Sequence, residues 1–130
     1  MYLIRKQFHF SASHQLEGLP PEHQCSRLHG HNYIVEIILA SQTVDKNGFV
    51  LDYLDLKPFK RMIDDTLDHR HLDDILPCSS SAENLAKYLF DWAHVRWEQT
   101  VAVRVSETPK TWAEYWHIPD LIAIMNVQET

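Results

Sequence analysis

Residues 29–41 form the stretch that most restricts how this chain can fold. Every second residue from Tyr33 to Leu39 is apolar, and the β-branched Ile34 and Ile38 stand between them. A period of two residues with this composition predicts a β-strand whose side chains alternate between the two faces of a sheet. We therefore expect a sheet that contains this strand to be the framework of the fold.

The other predicted strands have the same kind of evidence, an alternation or a short apolar run beside turn residues. They are residues 2–11, a return strand at 49–51 after the turn residues 45–48, residues 101–107, and a last strand at 121–127.

Two helices are predicted between these strands. The first begins at Asp55, has Pro58 in its first turn and carries apolar residues at spacings of three and four up to Leu67. The second begins at Ser80, which forms a capping-box pattern with Glu83. Strands on either side of a helical pair predict an α+β fold with antiparallel pairing.

Length and charge exclude several classes of protein. The chain has 130 residues, so residues 1–130 are predicted to form a single domain. With a formal net charge of −6 and no Lys/Arg cluster, it lacks the basic patch that nucleic acid or an anionic membrane surface requires. No apolar run reaches the roughly 18 residues of a membrane span, and the N-terminus has no signal-peptide pattern. The two cysteines form no CxxC pair, which favours a reducing cytoplasm.

Three histidines and a cysteine are the candidate functional residues that the pattern itself singles out. On a strand, His29 and His31 point to one face with their Cα atoms about 6.6 Å apart, and from there both can bind one metal ion. His14 would have to join them from a neighbouring strand. Three neutral imidazoles favour zinc and leave a fourth position open, as in catalytic sites. Two alternatives stay open: a structural zinc with Cys25 as its fourth ligand, and ordinary polar side chains on a sheet surface.

Several separate motifs resemble those of the 6-pyruvoyl-tetrahydropterin synthase family. The matching stretches are Phe10–His14, Cys25–Tyr33, Gly48–Tyr53 with Leu56 and Lys57, Leu67–Asp73, Glu83–Ala86 and Val105–Thr108. Together they extend over most of the chain. The spacing of three residues between Cys25 and His29 is similar to that of the bacterial 6-carboxy-tetrahydropterin synthase branch, which acts in queuosine biosynthesis.

The resemblance implies a fold and an assembly. The family has the tunnelling fold, or T-fold, with the order ββααββ, an antiparallel sheet and a pair of helices on one face. Its members are homo-oligomers, usually hexamers made of two trimers, with active sites between subunits. Residues 117–130 extend past the usual end of the family and have no predicted role.

The resemblance also implies a substrate, 7,8-dihydroneopterin triphosphate, and the residues that act on it. The residues at the family's functional positions are the Zn²⁺ ligands His14, His29 and His31, the catalytic residues Cys25, Asp68 and His69, and the substrate-binding residues Glu107 and Ser81. Arg27 is a further predicted substrate-binding residue, as a cation that could hold the phosphates. In this scheme the thiolate is a base, the Asp–His pair exchanges protons, and the glutamate accepts hydrogen bonds from the pterin edge. Lys6 and Lys110 are further candidates for holding the phosphates.

The product is open between two branches of the family. The bacterial branch releases triphosphate and acetaldehyde and leaves 6-carboxy-5,6,7,8-tetrahydropterin, whereas the pyruvoyl branch keeps the three-carbon side chain. A T-fold protein that binds zinc or pterin without chemistry is the non-enzymatic alternative. Ala82 and Ser106 depart from the family's usual residues, and Ala82 removes a hydroxyl that would lie near the pterin.

Overall fold

The computed structural model describes residues 1–126. Its strands and helices are β1 (Tyr2–His14), β2 (His29–Ser41), α1 (Lys57–Met62), β3 (Arg70–His71), α2 (Ala82–Arg96), β4 (Thr100–Thr108), β5 (Thr111–Trp116) and α3 (Ile118–Met125). A π-helical turn, Ile63–Leu67, continues α1. Among the described residues, no helix combines the length and the apolar character needed to cross a bilayer.

The five strands form one sheet in the order β3-β1-β2-β4-β5. β1 and β2 pair antiparallel along their whole length, from Tyr2 opposite Ser41 to His14 opposite His29. β4 and β5 continue the antiparallel pairing, while the short β3 runs parallel to β1. The predicted α+β fold with a largely antiparallel sheet is confirmed.

The main core lies between the sheet and the helices α1 and α2. The alternating residues of β2 are the centre of this layer, and Tyr33, Val35, Ile37 and Leu39 are all buried. They pack in one cluster with helix residues such as Phe59 and Leu85. Both helices therefore cover one face of the sheet, as predicted, because each presents an apolar stripe at helical spacing.

The C-terminal elements differ from the prediction. The last strand is β5, which the sequence analysis missed. The strand predicted at 121–127 is not found: residues 121–125 belong to α3, residue 126 follows the helix, and residue 127 lies outside the described range. A short apolar run fits a strand or a helix equally well, and here Pro119 and Asp120 in the first turn favour the helix. Leu121 and Ile124 of α3 pack on the face of the sheet opposite to α1 and α2.

Two local predictions are also wrong. Residues 49–51 are irregular: the Asp45 carboxylate accepts the backbone N–H groups of Asn47 and Phe49 and closes a turn there. The N-cap of α2 is Ser81, whose hydroxyl accepts the N–H of Asn84 at 3.2 Å. Ser80 is buried instead, and its hydroxyl donates to a carboxylate of the preceding turn.

Candidate functional site

The ends of β1 and β2 bring three histidines together. His14 is the last residue of β1 and lies opposite His29, the first of β2, while His31 is opposite Ala12. One ring nitrogen from each histidine lies within 4.8 Å of the other two, and the Nε2 atoms of His14 and His29 are 2.8 Å apart. The side chain of His14 is only 1% exposed. The cluster is compatible with a metal site.

Hydrogen bonds to the backbone orient two of these rings. The Nδ1 of His14 lies 2.8 Å from the carbonyl oxygen of Ser80, and the Nδ1 of His29 lies 2.6 Å from that of Arg27. Because a carbonyl oxygen only accepts, each Nδ1 carries a proton and donates it. In the neutral ring the lone pair then lies on Nε2, the atom that faces the centre of the cluster, as a metal ligand requires.

His31 completes the cluster as a neutral base. Its Nε2 is buried, has no hydrogen-bond partner within residues 1–126, and lies 3.6 Å from Oε2 of Glu107. Burial lowers the pKa of His31; the carboxylate of Glu107 opposes this effect, and the neighbouring imidazoles of His14 and His29 add to it. A lowered pKa favours the uncharged ring, which is the form of histidine that can bind a cation.

Gly30 lets the two strands approach closely between His29 and His31. A Cβ atom at Gly30 would lie 3.3 Å from the carbonyl oxygen of Ala12, tighter than most such contacts. Because Gly30 has no side chain, the backbone of β1 at Ala12 can lie against it.

Glu107 lies where β4 loses its regular pairing with β5, next to the histidine cluster. Its carboxylate is 24% exposed and lies 4.0 Å from Nε2 of His14. It also lines a crevice of about 170 Å³ together with Ser81 and Trp112. The structure thus brings two of the predicted substrate-binding residues to one opening beside the cluster. Trp112 also lines this crevice and was missed because β5 was missed.

Cys25 and Arg27 lie in the loop between β1 and β2. Cys25 is half-buried in a single 3-10 turn, Gln24–Ser26, and is a free thiol. Its sulfur is not part of the compact group that the three histidines form among the described residues, so this geometry does not support the four-ligand structural site. Arg27 is exposed and reaches the site through its carbonyl oxygen. Lys6 is eight residues before His14 on β1, about 26 Å away, too far to serve the same chain's site.

Asp68 and His69 form a hydrogen-bonded pair after the π-helical turn. Oδ2 of Asp68 lies 2.8 Å from Nδ1 of His69, and its Oδ1 accepts the N–H of Ser11 at 2.9 Å. The Ser11 N–H, and after it His69, holds the pKa of Asp68 below its usual value. The ionised carboxylate of Asp68 accepts a hydrogen bond from the Nδ1–H of His69. The other ring nitrogen, Nε2, is not used by this pair.

The pair faces a different opening from the one beside Glu107. His69 is 82% exposed and lines a groove of about 470 Å³ with Ser11, Ser13 and Asn32, which alternate with the residues that face α1 and α2. His31 of the histidine cluster also lines this groove. No hydrogen bond or ion pair within the described part of the chain connects Asp68 or His69 with the histidine cluster or with Cys25. Within residues 1–126, Cys25 and the Asp68–His69 pair are therefore not joined by a direct hydrogen bond or ion pair.

Comparisons with known proteins show which proteins this chain is similar to. Residues 3–118 match the family model described as 6-pyruvoyl tetrahydropterin synthase. The chain is 36% identical over 98 residues to the 6-carboxy-5,6,7,8-tetrahydropterin synthase of Synechocystis sp., which covers 69% of this chain and 73% of that protein. It is 33% identical over 132 residues to the 6-pyruvoyl tetrahydrobiopterin synthase of Drosophila melanogaster, covering 88% and 78%. The structure of Caenorhabditis elegans 6-pyruvoyl tetrahydropterin synthase superimposes with a TM-score of 0.79 and 28% identity over 89% of this chain and 95% of that one.

Proposed function

The chain belongs to the 6-pyruvoyl tetrahydropterin synthase family of lyase-type enzymes, and we propose that it converts 7,8-dihydroneopterin triphosphate to 6-carboxy-5,6,7,8-tetrahydropterin, releasing acetaldehyde and triphosphate. The cluster of His14, His29 and His31 beside Glu107 carries this proposal. Such a product would serve queuosine biosynthesis in the cytoplasm. The short spacing between Cys25 and His29 supports the carboxy branch.

Zinc is the metal that this ligand set fits best. Three imidazole nitrogens without a thiolate or carboxylate in the compact group favour Zn²⁺ and leave a position open for substrate. When bound, Zn²⁺ supplies Lewis acidity that stabilises negative charge on an oxygen of the substrate's side chain. The chain's own part is to present three oriented lone pairs.

The proton transfers are assigned to Cys25 and to the Asp68–His69 pair. Cys25, in the loop that leads to His29, takes a proton as a thiolate. His69 gives and accepts protons at its exposed Nε2 while Asp68 holds its Nδ1–H. Because the pair faces the groove on the side of the sheet opposite to α1 and α2, the proposed homohexamer completes each site with Asp68 and His69 from a neighbouring subunit.

Mixed oligomers test this division between subunits. Cys25→Ala and His69→Ala chains, each inactive alone, are co-expressed in equal amounts and purified together. If each site takes its thiol from one chain and its imidazole from another, about a quarter of the sites receive both, because each intact residue arrives with a probability of one half. We expect about a quarter of wild-type turnover. Mixtures as inactive as the separate variants would place both residues in the same chain's site.

Glu107 is proposed to anchor the pterin ring by accepting two of its N–H groups. Glu107→Gln replaces one acceptor oxygen with a donor and removes the charge. We expect pterin binding to weaken by roughly 1.5–3 kcal/mol, about 10- to 200-fold. Titration with neopterin measures the change.

The matched control is Glu98→Gln, which changes an exposed carboxylate that does not line the crevice. Metal content should be the same in all three proteins. Unchanged neopterin affinity in Glu107→Gln would remove Glu107 from the binding site, and a loss of metal would make it a metal ligand.

Product analysis separates the carboxy proposal from its main alternative. The similarity to the Drosophila enzyme favours 6-pyruvoyl-tetrahydropterin as the second candidate product. Incubation with 7,8-dihydroneopterin triphosphate, followed by mass spectrometry, distinguishes a product that has lost two carbons as acetaldehyde from one that retains them. Unchanged substrate in the presence of zinc would support a binding protein without chemistry.

A further inference from the structure

Asp73, in the turn after β3, contacts the chain on both sides of the end of β1. Its Oδ2 accepts the backbone N–H of Gln15 at 2.9 Å and lies 3.0 Å from Nε2 of His71. Its Oδ1 accepts the hydroxyl of Ser80. Since β1 ends at His14, the residue after the strand is attached directly to this carboxylate.

The same contacts reach the residue before His14 and its ring. Nδ1 of His71 lies 2.9 Å from Oγ of Ser13, and the carbonyl oxygen of Ser80 accepts the Nδ1–H of His14 at 2.8 Å. His14 and Ser80 are each only 1% exposed. One carboxylate is thus connected to Ser13 through His71, to the His14 imidazole through Ser80, and to Gln15 directly.

We propose that Asp73 is a positioning residue for the metal ligand His14, an inference that rests on the proposed metal site. The orientation of a ligating imidazole is set by the acceptor of its other N–H group. Here that acceptor belongs to Ser80, in a segment without regular secondary structure, so its place depends on its own hydrogen bonds. The side chain of Asp73 holds Ser80 and the end of β1 in one arrangement through its hydrogen bonds to both.

A purely structural role for Asp73 makes a different prediction. A carboxylate that only attached the turn to β1 would change the stability of the metal-free protein and leave the metal's environment as it was. A positioning residue changes how strongly the ion is bound and the geometry of its ligands.

The test compares Asp73→Ala, Asp73→Asn and Ser80→Ala with the wild type, and Asp74→Asn is the matched control because its exposed carboxylate is the next in sequence. The dissociation constant for Zn²⁺ is measured by competition with a chromogenic chelator. The visible absorption of the Co²⁺-loaded protein reports the ligand geometry, and the Tm of the metal-free protein reports stability.

We expect Asp73→Ala to bind Zn²⁺ about 10- to 100-fold more weakly and to shift the Co²⁺ bands. Asp73→Asn, which keeps one acceptor oxygen, and Ser80→Ala should have smaller effects in the same direction, and Asp74→Asn none. A lowered Tm with unchanged Zn²⁺ affinity and Co²⁺ spectrum would overturn the proposal. If Asp73→Ala does not fold, the Zn²⁺ affinity and Co²⁺ spectrum of Ser80→Ala decide whether the proposal holds, since this variant removes only one hydroxyl. Wild-type protein that binds neither ion would instead overturn the metal site itself.

Discussion

Replacing Cys25 with alanine is expected to lower kcat by about 10²–10⁴-fold, the usual effect of removing a general base, and to leave the metal bound. Cys25 holds its turn through backbone atoms: its N–H donates to Nδ1 of His23 at 3.0 Å, and its carbonyl oxygen accepts the N–H of Leu16 at 2.9 Å. Loss of the sulfur leaves both contacts intact. The three imidazoles form their group without the thiol, so metal content should not change.

Turnover and metal content are measured on the same preparations. The control is Cys78→Ala, which removes the other free cysteine, an exposed one on the loop before α2. A Cys25→Ala protein that has lost its zinc would make the thiol a ligand and revive the structural-zinc alternative. Unimpaired turnover would show that the base is another group.

Replacing His29 with alanine is expected to abolish metal binding, with content falling from about one ion per chain to below about 0.1. Loss of a hydrogen-bond partner of a ligand already costs about 10–100-fold in metal affinity, and loss of the ligand itself must exceed that. Two imidazoles, His14 and His31, would remain. Turnover should fall to background with the metal.

Elemental analysis after dialysis against a weak chelator measures this loss. His9→Ala is the matched control, because His9 is exposed on β1 and belongs to the opposite alternation from His14. Full metal content in the His29→Ala protein would refute the three-histidine site. Melting curves recorded without metal check that the variant is folded.

The parts of the fold that could be predicted have a long, unambiguous period. β2 has an apolar residue at every second position from Tyr33 to Leu39, and Phe59 of α1 is followed at helical spacing by Ile63 and Leu67 of the π-helical turn. These periods identify both elements. The run in α3 is too short for a period to decide between strand and helix. β5 has Trp112, Glu114 and Trp116 on one alternation, which mixes apolar and charged side chains and conceals the buried face.

The candidate site was predictable to the extent that it depends on motifs. Strand geometry alone predicts that His29 and His31 point to the same face. The position of His14 beside them depends on the register between β1 and β2, which only the resemblance implied. The choice between Ser80 and Ser81 as helix cap depends on Asp73, whose carboxylate engages Ser80. Two adjacent serines look equivalent in a sequence, and the difference between them appears only when the chain is folded.

The last pair of the β1–β2 ladder, His14 opposite His29, is also the entrance to the loop that contains Cys25. A ladder begins to open at its ends, where a residue has a neighbour on one side only. An ion bound by both imidazoles would join the strands at this point, and opening from this end would require the ion to leave. The residence time of the metal would then set how long the loop keeps its shape. The supply of metal would then determine how long Cys25 stays in its position in the loop, in addition to providing Lewis acidity at the site.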